Sequence, residues 1–193
     1  MPTGLFIYFC LVACVAVQRL LEVRLASRNT ERLLLLGARE FESRHYRVMK
    51  VLHTTWLLAC IAEALWRSAP PQVGLAVISL VLFAMGQLLR VAAIKELGPR
   101  WTTRIIVLPA VPPEAGGIYR LIKHPNYLGV ILEIAALPLL FGSWVTAVVF
   151  SVANLALLLG VRIPAEETAI KSNNASSAMT EWSRRGRFVP GRS

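Results

Sequence analysis

Two short segments in the second half of the chain hold the side chains whose types and spacing are best suited to chemistry. The first runs from Tyr119 to Gly129 and contains His124-Pro125-Asn126-Tyr127, and the second runs from Arg162 to Glu167. They offer an imidazole, an amide, two phenols, a guanidinium and two carboxylates. Pro125 suits the first turn of a helix, whose free backbone N–H groups can bind an anion such as a carboxylate. The sequence therefore predicts a polar site where a loop enters a helix.

The elements between these segments must bring them together. Apolar stretches at residues 127–141 and 144–163 are joined only by Gly142-Ser143, which predicts a tight antiparallel helical hairpin. Such a hairpin returns the end of its second helix to the level where its first helix began. We therefore expect His124–Tyr127 to meet Arg162–Glu167 at one membrane interface.

The composition predicts that these helices lie in a membrane. The chain has 193 residues and is 55% hydrophobic with a net charge of +10, whereas soluble chains are about 45–50% apolar. A basic nucleic-acid binder would concentrate its charge on one face, so no nucleic-acid partner is expected. Five stretches approach the roughly 20 residues that cross a bilayer. The predicted fold is therefore an all-α polytopic membrane protein forming one domain, residues 1–193, with spans at about 2–18, 48–65, 73–94, 127–141 and 144–163.

The distribution of Lys and Arg predicts the orientation. Residues 19–50 hold eight, residues 90–126 hold six and residues 162–193 hold six, whereas residues 66–72 hold one and the 142–143 turn holds none. Positive loops stay in the cytoplasm, so we expect the N-terminus outside and the C-terminus inside. Residues 19–47 and 95–126 are then cytoplasmic loops and residues 164–193 a cytoplasmic tail. Their positive charge is expected to attract anionic lipids.

The two predicted cytoplasmic loops differ in character. In the first, Asn29 or Thr30 is a suitable N-cap and Gly37 a suitable end for a short helix at the interface. In the second, four prolines and three glycines between residues 98 and 119 exclude a regular helix. Connections of that length are usually functional, so we expect the second loop to have a function.

Several polar residues have both a functional and a structural interpretation. Arg162 and Glu166 lie one helical turn apart and belong either to a site or to an ordinary i,i+4 ion pair. His124 taken alone is more often a structural histidine than a catalyst. Glu133, at membrane depth, is expected either to line a channel for a lipid acceptor or to be a protonated or paired structural group. The histidines lie on separate segments without ligand spacing, so no metal is expected.

Residues Tyr119 to Gly129 and Arg162 to Glu167 resemble the C-terminal signature of the isoprenylcysteine carboxyl methyltransferase family of integral membrane enzymes. The resemblance covers roughly residues 85–170, and the five-span layout agrees with short prokaryotic members, which implies a bacterial inner membrane. The stretch His45-Tyr46-Arg47-Val48-Met49 is similar to a bacterial branch associated with methylation of alkylated polyketides. Lys123 departs from the arginine usual before His-Pro, and the tail after Glu167 lacks the usual aromatic ending.

This resemblance implies S-adenosylmethionine as the methyl donor and a lipophilic or prenylated acceptor that enters from the bilayer. The acceptor group is either the carboxylate of an isoprenylated cysteine or the hydroxyl of an alkylated aromatic polyketide. Arg162 would face the acceptor, and His124 would be the base for a hydroxyl. By the same likeness, the residues expected to line the cofactor pocket are Tyr119, His124, Pro125, Asn126, Tyr127 and Glu166.

Two other classes of function remain open. Membrane reductases that use a nicotinamide cofactor share an element like His124-Pro125-Asn126-Tyr127, although five spans are few for them. A small transporter or scaffold could use Glu133 and Asn154 within the membrane. That interpretation leaves the long loop rich in proline and glycine unexplained.

Overall fold

The computed structural model describes residues 3–41, 43–67, 72–173 and 177–191. Pro2 and residues 68–71, 174–176 and 192–193, which the predicted first span, external loop and tail include, lie outside the described residues. In chain order, the helices and strands are α1 (Thr3–Leu35), β1 (Arg39–Phe41), α2 (Ser43–Arg67), α3 (Val73–Leu97), β2 (Ile105–Val107), α4 (Pro125–Leu139), α5 (Trp144–Leu157), a π segment (Leu158–Arg162), α6 (Ile163–Asn173) and α7 (Ser177–Ser183). Short 3₁₀ turns cover Gly98–Arg100 and Gly117–Arg120.

Four helical stretches of the described chain are long and apolar enough to cross a membrane: Thr3–Leu35, Tyr46–Arg67, Val73–Arg100 and Trp144–Asn173. The remaining apolar helix, α4, has 15 residues. That corresponds to a length of about 22 Å, less than the roughly 30 Å of a hydrocarbon core. The protein is an integral membrane protein, and the number of five spans stays a prediction.

Helix α1 continues for 33 residues, through most of the segment predicted as a cytoplasmic loop. The prediction of a separate capped helix after Asn29 is wrong. The Asn29 side chain does not cap a helix but donates hydrogen bonds to the carbonyls of Gly98 (3.2 Å) and Trp101 (2.8 Å). Gly37 does end the helix: it has a φ of 87°, and the next N–H, of Ala38, bonds to the Leu33 carbonyl.

The all-α prediction needs one small correction. Strands β1 and β2 pair antiparallel, with Glu40 opposite Ile106, and so join the end of α1 to the loop after α3. Ile105 and Val107 of β2 are buried against Ala169 of α6. The loop after α3 contains no regular α-helix, as its prolines and glycines predict, and this strand pair holds it against the end of the last long helix.

The short helix α4 packs against α2, α3 and α5, and its most extensive contact is with α3. The two backbones approach at Gly86 and Gly129, where a methyl group added to Gly129 would lie 2.7 Å from the Gly86 carbonyl oxygen. Small residues permit such close approach between membrane helices. The Trp56 indole of α2 donates to the Ile134 carbonyl of α4 (3.2 Å), so α4 is fixed from two sides.

The hairpin between α4 and α5 forms as predicted. Gly142 has a φ of 72°, and Ser143 donates its backbone N–H to the Pro138 carbonyl (3.0 Å). The second helix does not end near Ile163 but continues, through the π segment, into α6. This continuation brings Arg162 and the two glutamates after it back beside the start of α4.

Candidate functional site

His124 lies immediately before α4, and its ring is flanked by the two carboxylates of α6. Its Nε2 is 3.2 Å from Glu167 Oε1, and its Nδ1 is 3.7 Å from Glu166 Oε1. The ring also stacks on Tyr127, with centroids 5.4 Å apart. His124 is 3% exposed. The hairpin therefore brings the two sequence segments together, as predicted.

Tyr127 connects Glu166 to Arg162. Its hydroxyl donates a hydrogen bond to Glu166 and accepts one from Arg162 Nε at 3.0 Å. Arg162 Nη2 also donates to the Thr103 carbonyl (2.5 Å), in the loop before β2. Arg162 is thus part of a network that joins the π segment, α4, α6 and the loop before β2, and Tyr127 connects it to Glu166.

The π segment explains how a helix residue faces this network. Its five residues, Leu158–Arg162, form a wider turn than the α-helix, and it ends at Arg162, which is buried. Single π turns inside α-helices occur frequently at functional sites. Nothing in the sequence pattern of this apolar stretch distinguishes a π turn from a regular α-helix, so the sequence alone did not predict it.

A cavity of about 160 Å³ opens beside this network. Five of the predicted residues line it: Tyr119, His124, Asn126, Tyr127 and Glu166. Pro125 is buried as the first residue of α4 and does not line the cavity, and neither does Arg162, which reaches the site through Tyr127. The ends of α1 and α3 contribute Leu33 and Leu97 to the wall.

Several lining residues come from the loop after α3 and were not predicted individually, namely Arg100, Trp101, Thr102, Val107, Leu108, Val111, Pro112, Pro113 and Glu114. Arg100 forms an ion pair with Glu114. Burial raises the pKa of Glu114, but bonds from the Gly116 and Ala115 N–H groups and the charge of Arg100 outweigh it, so this pKa lies below its usual value. The expectation that a long proline-rich loop is functional was the signal for this wall, although it did not identify the residues.

Tyr119 brings a protonated phenol to the cavity. Burial, together with the carboxylates of Glu166 and Glu114, raises the pKa of Tyr119 above its usual value. At neutral pH the side chain therefore remains a hydrogen-bond donor as well as an acceptor.

The C-terminal segment packs directly on the site. The backbone N–H groups of Lys123 and His124 donate to the carbonyls of Gly186 (2.9 Å) and Arg187 (3.1 Å). The Arg187 guanidinium binds both carboxylate oxygens of Glu167, at 2.9 and 2.8 Å. Trp182 is buried and lines the cavity. This segment therefore forms one wall of the site.

Glu133 lies in a separate cluster of buried charges. It pairs with Arg19 of α1 and Arg90 of α3, and Arg90 also pairs with Glu22. Gln18 and Gln87 bond to each other beside them at 2.8 Å. The four charges cancel, and Glu133 does not line the cavity. Glu133 is therefore a paired carboxylate in this structure, and its role in an acceptor channel stays a prediction.

The cavity offers groups for a ligand that carries both charges. Asn126 Oδ1 is buried and accepts no hydrogen bond from the described residues, and buried polar atoms normally have a partner. Glu166 can attract a cation, while the first turn of α4 attracts an anion. Among the residues that the structure describes, no group of three His, Cys, Asp or Glu side chains could hold a metal ion.

Comparisons with known proteins indicate the family of the chain. The model of the isoprenylcysteine carboxyl methyltransferase family matches residues 77–172, which include both segments. The uncharacterized protein YpbQ of Bacillus subtilis is 38% identical over 164 residues, covering 85% of this chain and 96% of that protein. An uncharacterized protein of Haemophilus influenzae is 31% identical over 163 residues, covering 82% of this chain and 91% of that protein.

Proposed function

The chain belongs to the isoprenylcysteine carboxyl methyltransferase family, and on that premise we propose that it transfers a methyl group from S-adenosylmethionine to an oxygen of a lipid-like acceptor. The observation that carries the proposal is the cavity beside His124, Asn126, Tyr127 and Glu166, connected through the Tyr127 hydroxyl to Arg162. We further propose that the protein lies in a bacterial inner membrane with this cavity on the cytoplasmic side.

The residues around the cavity suit the proposed donor. When bound, this cofactor supplies a methyl group on a sulfonium cation. Glu166 would bind its positive groups, and the first turn of α4 would bind its carboxylate. Asn126 Oδ1 would accept a hydrogen bond from its amino group, which supports the fit because this buried oxygen otherwise accepts none from the described residues.

Arg162 supports an acceptor that carries a carboxylate. A guanidinium has five N–H donors, and its bonds to Tyr127 and Thr103 employ two of them. The others suit the bidentate recognition of a carboxylate. A carboxylate is already a nucleophile at neutral pH, so the residues need only to align it and to exclude water. The carboxylate of an isoprenylated cysteine fits this description.

His124 supports the second acceptor class, the hydroxyl of an alkylated aromatic polyketide. A phenol has an unperturbed pKa near 10 and needs a proton acceptor at neutral pH. With its Nε2–H directed at Glu167, a neutral His124 would have its lone pair on Nδ1. Nδ1 would take the proton of the hydroxyl, and the carboxylates of Glu166 and Glu167 would stabilise the resulting imidazolium.

Calorimetric titration of S-adenosylmethionine into the detergent-purified protein tests the proposal. We expect saturable binding to the wild type and at least about a tenfold weaker affinity for Glu166→Ala, because a cation would lose its carboxylate partner. Glu31→Ala is the matched control, since Glu31 is an exposed residue of α1 that does not line the cavity. It should bind as the wild type does.

A titration with a reduced nicotinamide cofactor under the same conditions separates the two enzyme classes. Folded wild-type protein that binds the nicotinamide but not S-adenosylmethionine would contradict the methyltransferase proposal and favour the reductase. Folded protein that binds neither, with or without a lipid acceptor, would favour the transporter or scaffold.

A further inference from the structure

The beginning of helix α2 lies against the Arg162 side of the site. Met49 packs against the buried cluster of Tyr127, Leu158 and Ile163, and Tyr127 also belongs to the hydrogen-bond network with Glu166 and Arg162. Tyr46 lies against Arg104, and the preceding residue, Thr103, accepts a hydrogen bond from Arg162. Neither Tyr46 nor Met49 lines the cavity proposed for the donor. These residues therefore approach Tyr127 and Arg162 from a different side.

Two cationic side chains also lie against the Tyr46 ring. Lys50 Nζ lies 4.7 Å from the centre of its ring, and the Arg104 guanidinium lies 5.1 Å from it. Arg104 follows Thr103, whose carbonyl binds Arg162, and it forms an ion pair with Glu40 at 3.0 Å. Positive groups thus converge on one tyrosine at the start of α2, where an anionic or hydroxyl-bearing head group would find both charge and hydrogen bonds.

The outer surface beside these residues combines charged and apolar side chains, and its exposed charges at the start of α2 include Arg47 and Lys50. Val48 and Val51 of α2 are exposed, and so is Leu159 in the π segment. Helices α2 and α5 contact each other, and Met49 reaches Leu158 and Ile163 between them. In a membrane this seam would face lipid chains, so an alkyl or prenyl chain could lie along it without leaving an apolar environment.

We propose, on the basis of the methyltransferase function above, that the acceptor reaches Arg162 through this seam between the start of α2 and the π segment. Tyr46 contacts the polar head of the acceptor and Met49 contacts its apolar chain, so the two residues determine acceptor specificity. Donor and acceptor then approach Tyr127 from different sides, as alignment for direct transfer requires. Glu133 has no part in this route, because its carboxylate is bound within the charge cluster.

Filling the seam tests the proposal. The variant Met49→Trp is compared with Met85→Trp, which makes the same change at an exposed methionine of α3. The acceptor probes are N-acetyl-S-farnesylcysteine and a 5-alkylresorcinol. For the probe that the wild type methylates, we expect Met49→Trp to raise the acceptor KM about tenfold, because the larger side chain would overfill the packed seam and weaken binding of the acceptor chain. The dissociation constant of S-adenosylmethionine should not change, and Met85→Trp should resemble the wild type.

Tyr46→Phe is the second variant, because it removes one hydroxyl and leaves the packing intact. It should raise the acceptor KM and leave donor binding as it is. Unchanged acceptor KM values in both variants, with normal donor binding, would overturn the seam but not the methyltransferase function. Absence of donor binding to the wild type would instead overturn the function itself.

A diazirine-bearing alkyl analogue of each probe locates the chain directly and does not depend on turnover. Mass spectrometry should find competable crosslinks at the start of α2 and in the π segment. Crosslinks confined to α3 and α4 around Arg90 and Glu133 would contradict the proposal, and so would the absence of competable crosslinks anywhere in the chain.

Discussion

At the scale of single residues, Tyr127 connects the parts of the site through hydrogen bonds. Its hydroxyl bonds both to Glu166, on the cavity, and to Arg162, on the side of α2. His124 stacks on the same ring and bonds to Glu167. We therefore expect a change at any of these positions to affect the proposed donor side and the proposed acceptor side together. Variants farther from Tyr127 distinguish the two sides better.

Glu133 gives a prediction at this scale. Glu133→Gln removes the negative charge that faces Arg19 and Arg90, both largely buried. Breaking a buried ion pair from one side costs about 3–5 kcal/mol, because the remaining charge is left uncompensated. We expect a clearly lower midpoint of thermal unfolding in detergent, with the acceptor KM unchanged in protein that remains folded.

Glu31→Gln, at an exposed position of α1, is the control for this experiment and should not alter the unfolding midpoint. A specific rise in acceptor KM for Glu133→Gln, with normal thermal stability, would contradict this prediction and support Glu133 as a channel residue. The sequence could not separate these two roles, because the partners of Glu133 are distant in the chain and the spacing of charges shows no pairing between helices.

At the scale of elements, the position of α4 decides the geometry of the site, because His124, Asn126 and Tyr127 lie at its beginning. Helix α4 is short, and its backbone lies close to that of α3 at Gly86 and Gly129. The sequence predicted the hairpin to α5 because a two-residue turn leaves no other arrangement. It did not predict the close approach to α3, since a single glycine in an apolar stretch has no distinctive pattern.

Gly129→Ala tests this dependence. The added methyl group would meet the Gly86 carbonyl at 2.7 Å and the Arg90 side chain at 2.6 Å, so α3 and α4 must separate. Overpacking of this kind costs about 1–3 kcal/mol. We expect a lower unfolding midpoint and a weaker affinity for S-adenosylmethionine, measured on the same preparation.

Gly74→Ala is the matched control for Gly129→Ala. Gly74 lies in α3 with open space around it, so a methyl group meets nothing there and alanine favours the helix. That variant should equal or exceed the wild type in thermal stability. Equal thermal stability and donor affinity for Gly129→Ala would show that the α3–α4 contact does not position the start of α4.

Other elements show where local patterns have limited reach. Asn29 and Thr30 have the side chains of helix caps, yet both are buried within α1 because Asn29 bonds to the backbone of the loop after α3. The tail carries Trp182 and Arg187, to which the sequence analysis assigned no role. Their role depends on Lys123, His124 and Glu167, which lie elsewhere in the chain. Contacts of this kind cannot be deduced from local spacing.

At the scale of the whole molecule, the cavity and the positive charge belong to the same end of the helices. The cavity is lined by the ends of α1 and α3, the loop after α3 and the C-terminal segment. Those regions hold most of the 21 Lys and Arg residues. Because positive loops remain in the cytoplasm, the charge distribution predicts that the cavity opens to the cytoplasm.

Reporter fusions test this orientation. A fluorescent protein fused after Ser193 should fluoresce, because it folds in the cytoplasm, whereas alkaline phosphatase inserted between residues 67 and 72 should be active, because it folds outside. The proposed donor is a charged molecule that does not cross a bilayer unaided, so the methyltransferase function requires the cavity to face the compartment that contains the donor. The reverse pattern would contradict the predicted orientation and would also leave the site without access to its donor, even if the purified protein binds S-adenosylmethionine in detergent.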